Sequence, residues 1–279
     1  MSRMLHRLLL AGVIVSAAAP GLAAQGPDNH LYDRFQAFGA LSLLVLSTDI
    51  RINPANGDGT EISVESVLGL PKTTWQPRAG LRFRMGRRNE LEGAFQWASR
   101  TGNITLADSI VVGDTTFPAG ASVQSKLSTS QLTVTYRFAF TAKERTQIGV
   151  GVALGAIFLS ESIDALASVG SSSVSYSQAE SFPGPTASLG LYGRFRAGER
   201  WYFEADVRGV YAKVSNVKAG IIELGGDARY FFNNTIGASL GYGLGFYKVT
   251  LSRDGTLVDL SGSFKYTIQG FRGGVIVAF

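Results

Sequence analysis

The sequence predicts an all-β protein, a transmembrane antiparallel up-and-down β-barrel of about ten strands. Three observations predict this fold class: apolar residues alternate with polar or small ones, tight and long connections alternate along the chain, and charged residues are scarce. Only 17% of the 279 residues are Asp, Glu, Lys or Arg, against roughly 25% in soluble domains. The 34 glycines and 11% aromatic residues also favour a membrane barrel or a β-rich secreted protein.

The composition excludes several other classes of protein. Hydrophobic residues make up 45% of the chain, which is too high for an intrinsically disordered protein. The chain contains no Cys, so a disulfide scaffold, thiolate chemistry and a Cys-ligated metal site are excluded. No stretch after Gln25 is long and apolar enough to predict a transmembrane helix.

The first 24 residues resemble a targeting signal rather than a structural element. Arg3 and Arg7 give a positive start, residues 8–19 are apolar, and residues 22–24 are small enough for cleavage. This order predicts a secretory signal peptide over residues 1–24. A membrane anchor is disfavoured because a spanning helix needs about 20 apolar residues.

The remainder is predicted to be a periplasmic N-terminal segment, residues 25–33, followed by the barrel, residues 34–279. Removal of the signal peptide leaves 24 basic and 21 acidic residues, a net charge of +3. That charge is too small and too scattered to predict a nucleic-acid partner.

Alternation with a period of two identifies the strands. One segment places on its apolar face Leu132, Val134, Tyr136, Phe138 and Phe140. The first strand, residues 34–49, is less regular, because the apolar run 43–46 breaks the alternation. A β-bulge is therefore expected there.

The connections between predicted strands have two lengths. Tight turns are predicted at residues 86–89, 142–146, 197–200 and 232–235. Long loops are predicted at residues 51–74, 106–122 and 161–180, with shorter ones near Ser215 and at 253–260. Short turns at one end and long loops at the other are typical of outer-membrane barrels.

The second face of the predicted strands carries many charges. Arg196 lies on this face, as do the residues predicted to form an ion-pair network in the lumen: Arg82, Arg84, Glu90, Glu92, Arg137, Arg194, Glu204, Asp206, Arg208, Glu223, Asp227, Arg229 and Arg272. These charges cannot fill a dry core without large desolvation costs, which disfavours a soluble β-sandwich. Directed into a lumen they can pair, and the apolar face then meets lipid.

Aromatic residues are predicted to form two girdles at the membrane interfaces. One group lies next to the short turns or the C-terminus: Phe83, Phe138, Phe140, Phe195, Trp201, Phe203, Tyr230, Phe232 and Phe279. The other lies toward the long loops: Trp97, Phe158, Tyr211 and Phe246.

Four pieces of sequence resemble known outer-membrane proteins. The terminal Phe279 is similar to the C-terminal assembly signal of Gram-negative outer-membrane proteins, which the barrel-assembly machinery reads. The segments Glu65-Ser66-Val67-Leu68-Gly69-Leu70, Gly86-Arg87-Arg88-Asn89-Glu90-Leu91 and Pro183-Gly184-Pro185 resemble an uncharacterised family of small outer-membrane barrels in the porin-like superfamily. Asn89 departs from the family pattern, where a basic residue is expected. The resemblance implies fold and location, and it implies no activity.

The sequence predicts no catalytic residues, no metal site and no cofactor, and hence a protein that is not an enzyme. The mature chain contains one His, His30, which is expected to be solvated before the first strand. The carboxylate pairs Glu90/Glu92 and Glu204/Asp206 have basic neighbours and are expected to be ion-pair members. Residues 64–70 are expected to form a short amphipathic turn at the barrel mouth, or an ordinary loop helix.

The predicted function is that of an integral outer-membrane barrel with a charge-lined, largely closed lumen and a structural or surface-interaction role. The alternative is a narrow channel for ions or small solutes, if water separates the charged pairs. The expected partners are outer-membrane lipid, lipopolysaccharide and the barrel-assembly machinery.

Overall fold

A computed structural model describes residues 29–53, 61–112, 115–169, 172–214, 217–252 and 261–279. The predicted signal peptide lies outside these residues, as do the connections at 215–216 and 253–260. Among the described residues, none of the helices has the length and apolar character needed to cross a membrane.

The described chain consists of strands and one short helix. In chain order, the elements are β1 (Phe35–Asn53), β2 (Ile62–Ser63), α1 (Val64–Val67), β3 (Thr73–Met85), β4 (Asn89–Thr105), β5 (Ile110–Val112), β6 (Thr115–Phe117), β7 (Ser122–Ala142), β8 (Thr146–Val169), β9 (Ser172–Ala197), β10 (Trp201–Val214), β11 (Val217–Phe231), β12 (Ile236–Leu251) and β13 (Ser261–Ala278).

Ten of these strands form a closed antiparallel barrel. The order β1-β3-β4-β7-β8-β9-β10-β11-β12-β13 follows the chain, and β13 pairs with β1 from Gln36↔Ala278 to Asn53↔Ser261. Strand β2 adds to the end of β1, and β5 pairs with β6 in a separate hairpin. The predicted all-β, up-and-down barrel of ten strands is confirmed.

The four predicted tight turns lie at one end of the barrel, here called the short-turn end. They connect β3 to β4, β7 to β8, β9 to β10 and β11 to β12. Gly86 and Gly198 occupy two of these turns with φ of 74° and 73°, a region that glycine adopts without steric cost. The opposite end is called the long-loop end.

The long-loop end differs from the prediction at residues 161–180. Instead of a loop, β8 continues to Val169 and β9 begins at Ser172, with unbroken pairing between them. The two strands have 24 and 26 residues, whereas β10 has 14. A tilted strand crosses a bilayer in about 9–11 residues. The part of a strand beyond that length lies outside the bilayer and needs no apolar face. Alternation of apolar and polar residues therefore does not identify that part.

The expected bulge in β1 is also wrong. Strand β1 pairs with β13 without a shift, and Leu44 and Leu46 point into the lumen with 6% and 4% exposure. Inward leucines therefore explain the apolar run. The register shift is instead in β7, between Ala139 and Thr141.

An apolar belt surrounds the barrel. Every barrel strand exposes a large hydrophobic side chain to the outside, as shown by Leu43, Leu81, Phe95, Val134, Leu154, Leu191, Phe203, Leu224, Leu240 and Phe271. Next to the short turns, Trp201 contacts Tyr230, whose ring packs against Phe232. At the other edge of the belt, Trp97 and Tyr211 are 41% and 77% exposed. Apolar and aromatic surface thus faces outward, as lipid contact requires.

Two variants of β7 test the assignment of the two faces. Val134 is 45% exposed in the belt, so Val134→Arg should destabilise the protein by about 2–4 kcal/mol. Gln131→Arg is the control, because Gln131 accepts a hydrogen bond from Gln96 in the lumen. Urea unfolding in lipid vesicles measures both changes, and equal losses would contradict the orientation of the strand.

Candidate functional site

A layer of buried ion pairs fills the lumen on the short-turn side. Its centre is Glu90 on β4, which is 1% exposed. Both oxygens of Glu90 accept hydrogen bonds from Arg194 on β9, each at 2.7 Å. Arg137 approaches at 3.0 Å and Arg82 at 3.3 Å, and Arg84 completes the set. A carboxylate that meets this many guanidinium groups is held from several strands at once.

Two further glutamates extend this layer across the barrel. Glu92 contacts Arg82 and Arg137, each at 2.7 Å. Glu204 on β10 contacts Arg229 at 2.6 Å and Arg194 at 2.9 Å. Arg82 on β3 also reaches Glu204 at 3.5 Å. The ion-pair layer therefore joins strands on opposite sides of the lumen.

The ion-pair layer contains more arginines than carboxylates. Its members are Glu90, Glu92 and Glu204 with Arg78, Arg82, Arg84, Arg137, Arg194 and Arg229. The buried ring of Tyr192 lies beneath Arg194 and Arg137, at 5.3 and 5.8 Å from the ring centroid. Aromatic faces attract cations, so Tyr192 offsets part of the positive excess.

A second set, the upper ion pairs, lies nearer the long-loop end. Arg208 Nε is 2.8 Å from Glu223 and 3.7 Å from Asp206. Arg272 pairs with Asp227. These side chains are 13% to 27% exposed, so they are more open to water than the layer below.

The structure places every predicted lumen residue in a contact with an opposite charge. Two further arginines differ from the prediction. Arg78, which donates to Glu92 at 3.2 Å, belongs to the layer, and its alternating position in β3 was the available signal. Arg196 is not part of this layer, because its Nε donates to the carbonyl of Gly198 in the adjacent turn at 3.0 Å.

A polar cavity of about 160 Å³ lies between the ion-pair layer and the upper ion pairs. Its wall includes Arg78, Gln96, Asp206, Ser239 and Arg272. This volume holds a few water molecules. Within the described residues, no group of three or more His, Asp or Glu side chains is arranged to hold a metal ion.

Residues 62–70 fold inward and form a plug at the long-loop end, here called the loop plug. Glu65 of α1 contacts Arg100 of β4 at 2.6 Å and accepts the backbone N–H of Thr48 at 2.8 Å. Arg100 also donates to the Thr48 hydroxyl at 3.0 Å and to the carbonyl of Pro71 at 3.3 Å. This buried pair fixes the loop against two barrel strands.

The loop plug also has its own apolar core. Its buried members are Ile50, Ile62, Val64, Leu68, Leu70, Leu106, Ala121, Val123 and Leu127. Gly69 has φ of 66°, and a Cβ at Gly102 would lie 2.3 Å from the Gly69 carbonyl oxygen. The loop therefore approaches β4 more closely than any side chain at Gly102 would allow. The structure therefore contains the short amphipathic turn that the sequence predicts for residues 64–70 at the barrel mouth.

The short-turn end is covered by residues 29–34, here called the N-terminal plug. The expectation that His30 is solvated is wrong, because its side chain is 7% exposed. Its ring stacks on Phe231 at 3.5 Å and its Nδ1 lies 2.9 Å from Asp33 Oδ2. Leu31 packs in the same cluster, which includes Tyr202. No periodic pattern of residues predicts this packing, since the segment is not a strand.

Tyr32 holds the rim of this plug against two of the tight turns and the end of β3. Tyr32 donates to the carbonyl of Lys143 at 2.6 Å, and Arg87 and Arg84 lie over its ring at 5.1 and 5.6 Å. Burial raises the pKa of the Tyr32 phenol, and the charges of Arg87 and Arg84 offset part of that increase. At the seam, Phe279 exchanges backbone hydrogen bonds with Phe35 at 2.8 and 3.2 Å.

The fold matches solved membrane proteins, although no family model and no curated protein matches the sequence. The outer-membrane protease OmpT from Escherichia coli is 11% identical, with 88% of this chain and 96% of that chain covered and a TM-score of 0.56. The fold is that of an outer-membrane β-barrel. The translocator domain of the autotransporter NalP from Neisseria meningitidis is 13% identical over 99% and 97% of the two chains, with a TM-score of 0.47. The attachment invasion locus protein Ail from Yersinia pestis is 11% identical over 86% and 99%, with a TM-score of 0.34.

The similarity to OmpT corrects one conclusion from the sequence. The sequence led to the expectation that this protein is not an enzyme, and that expectation is wrong. A protein with the same fold, OmpT, is a protease. At 11% identity the match concerns the fold and transfers no active site.

Neutralising Glu90 tests how strongly the ion-pair layer stabilises the barrel. Glu90→Gln leaves several buried guanidinium groups without their carboxylate, and we expect a loss of about 3–5 kcal/mol in the free energy of unfolding. Glu61→Gln is the control, because its pairs with Lys265 and Arg51 are half exposed and exposed pairs contribute little. The measurement is urea unfolding in vesicles. Losses of the same size for both variants would contradict a special role for the layer.

Proposed function

We propose that this protein is an integral outer-membrane barrel with a closed lumen, which acts through its structure and its surfaces. The observation that carries the proposal is the ion-pair layer. Its glutamates are 1% to 6% exposed and are held from opposite walls. A solute that crossed this layer would have to separate buried ion pairs, which is costly because the charges would be left unpaired.

The plugs at both ends support the same proposal. The loop plug seals the lumen with an apolar core and the Glu65–Arg100 pair, and the N-terminal plug covers the short turns with His30 and Leu31. Three successive obstructions therefore lie along one path. Outer-membrane barrels have short turns toward the periplasm and longer loops toward the exterior. The loop plug therefore lies at the extracellular end of the lumen.

The long hairpin formed by β8 and β9 favours a role in surface interaction. Its strands have 24 and 26 residues, about twice what a bilayer requires. Strand β10 pairs with β9 from Ala197 only as far as Leu189. Strand β10 ends at Val214, five residues beyond Gly209, whereas β9 extends from Leu189 back to Ser172. The distal part of the hairpin therefore rises above β10, where a partner outside the cell can reach it.

Lipid and the assembly machinery complete the proposal. The exposed apolar belt suits contact with outer-membrane lipid. In the exterior leaflet, the proposed lipid partner is lipopolysaccharide, a phosphorylated glycolipid. Phe279 directly follows β13 and exchanges backbone hydrogen bonds with Phe35 at the seam of the barrel, a position that suits an assembly signal recognised before the barrel closes.

A narrow channel is the second candidate, and the cavity of about 160 Å³ favours it. That cavity is already polar, and both plugs are held by noncovalent contacts alone. If the loop plug moved as a gate, the remaining obstruction would be the ion-pair layer. The two candidates therefore predict different conductance after the loop plug has been opened.

Planar-bilayer recording separates these candidates. The wild-type protein should give no large, steady conductance. The double variant Glu65→Ala/Arg100→Ala removes the pair that holds the loop plug, and it should also stay closed because the ion-pair layer lies beneath. Arg51→Ala/Glu61→Ala is the control, since this pair at the long-loop end is exposed. Steady conductance in the Glu65/Arg100 variant alone would favour the channel, and conductance in the wild type would overturn the closed lumen.

A further inference from the structure

Three lysines form a cluster on the outer face of the barrel at the long-loop end. Lys213 of β10, Lys218 of β11 and Lys248 of β12 are all exposed. Lys213 lies directly opposite Lys218, and Lys218 lies opposite Thr250, two residues from Lys248. Direct neighbours have Cβ atoms about 4.5–5.5 Å apart and diagonal neighbours about 7–8 Å. These residues are called the lysine patch.

The lysine patch has a local excess of positive charge. Like charges directly opposite each other on paired strands are destabilising. Among the residues that the structure describes, no acidic side chain forms an ion pair with the patch. The adjacent Lys265 differs, because it contacts Glu61 at 2.7 Å and lies opposite Asp49 in the sheet register. An anion from outside the protein would therefore relieve the repulsion within the patch.

The surface next to the lysine patch is apolar. Tyr211 is 77% exposed, and its ring lies beside Gly220, where an added Cβ would be 3.6 Å from the ring. Ile222 and Phe246 follow toward the belt with 55% and 45% exposure. The lysine patch thus lies directly beside lipid-facing apolar surface. This arrangement suits a molecule with an anionic headgroup and acyl chains.

We propose that the lysine patch binds the phosphorylated headgroup of a glycolipid in the exterior leaflet, the diphosphorylated disaccharide called lipid A. The proposal rests on the proposed outer-membrane placement, because that placement directs the long-loop end toward this leaflet. Phosphate monoesters carry about −1.5 to −2 charges near neutral pH, so two of them match three lysines. The acyl chains would lie along Ile222 and Phe246.

Lipid binding can be measured with the folded barrel in nanodiscs of phosphatidylcholine that contain a small fraction of diphosphoryl lipid A. Native mass spectrometry counts the retained glycolipid. The triple variant Lys213→Gln/Lys218→Gln/Lys248→Gln should bind about 100-fold more weakly, roughly fivefold for each lysine. Lys72→Gln/Lys126→Gln/Lys143→Gln is the control with the same loss of charge, and it should retain the wild-type affinity. Heat-modifiable migration on gels verifies that each variant is folded.

Three outcomes would overturn the assignment. Equal weakening in the control variant would indicate that overall charge attracts the lipid. Equal retention of dephosphorylated lipid A would show that phosphate is not recognised, and equal retention of phosphatidylglycerol would indicate general attraction to anionic lipid. An open pore in the bilayer recording would overturn the closed lumen but leave this binding result intact, so the two failures are distinguishable.

Discussion

The barrel depends on pairing carboxylates with guanidinium groups in a space from which water is largely excluded. Glu90 shows the constraint, since it is 1% exposed and contacts arginines from three other strands. A buried carboxylate without these partners would be strongly unfavourable. The strands that carry the partners must therefore surround Glu90, and a closed barrel achieves this. The apolar belt follows, because the other face of every strand must then meet lipid.

The same pairs also specify the register of the sheet. Arg84 lies opposite Glu90 and Arg82 opposite Glu92 across β3 and β4, and Arg194 lies opposite Glu204 across β9 and β10. A slip of one residue would direct each charge toward lipid and each apolar side chain into the lumen. Favourable cross-strand pairing and the cost of misplaced charge therefore favour one alignment.

The membrane-spanning part of this fold was predictable from the sequence because lipid on one side and a polar lumen on the other require alternation. Where that requirement ends, the prediction failed. Strands β8 and β9 continue through a segment expected to be a loop, because backbone pairing needs no apolar face outside the bilayer. The pair Glu65–Arg100 spans 35 positions, and His30 is buried by residues more than 170 positions away. Neither contact leaves a periodic trace in the sequence.

The distribution of charge separates the inside of the barrel from its rim. In the lumen, each predicted charged residue has an opposite charge within reach, and Tyr192 accommodates part of the excess. These groups are already held in ion pairs with one another, so they join the walls of the barrel. At the long-loop rim, the lysine patch has cations that face each other and, within the described chain, no carboxylate between them. The capacity to attract an anion therefore lies on the membrane-facing rim, where a phosphorylated headgroup can be reached without opening the barrel.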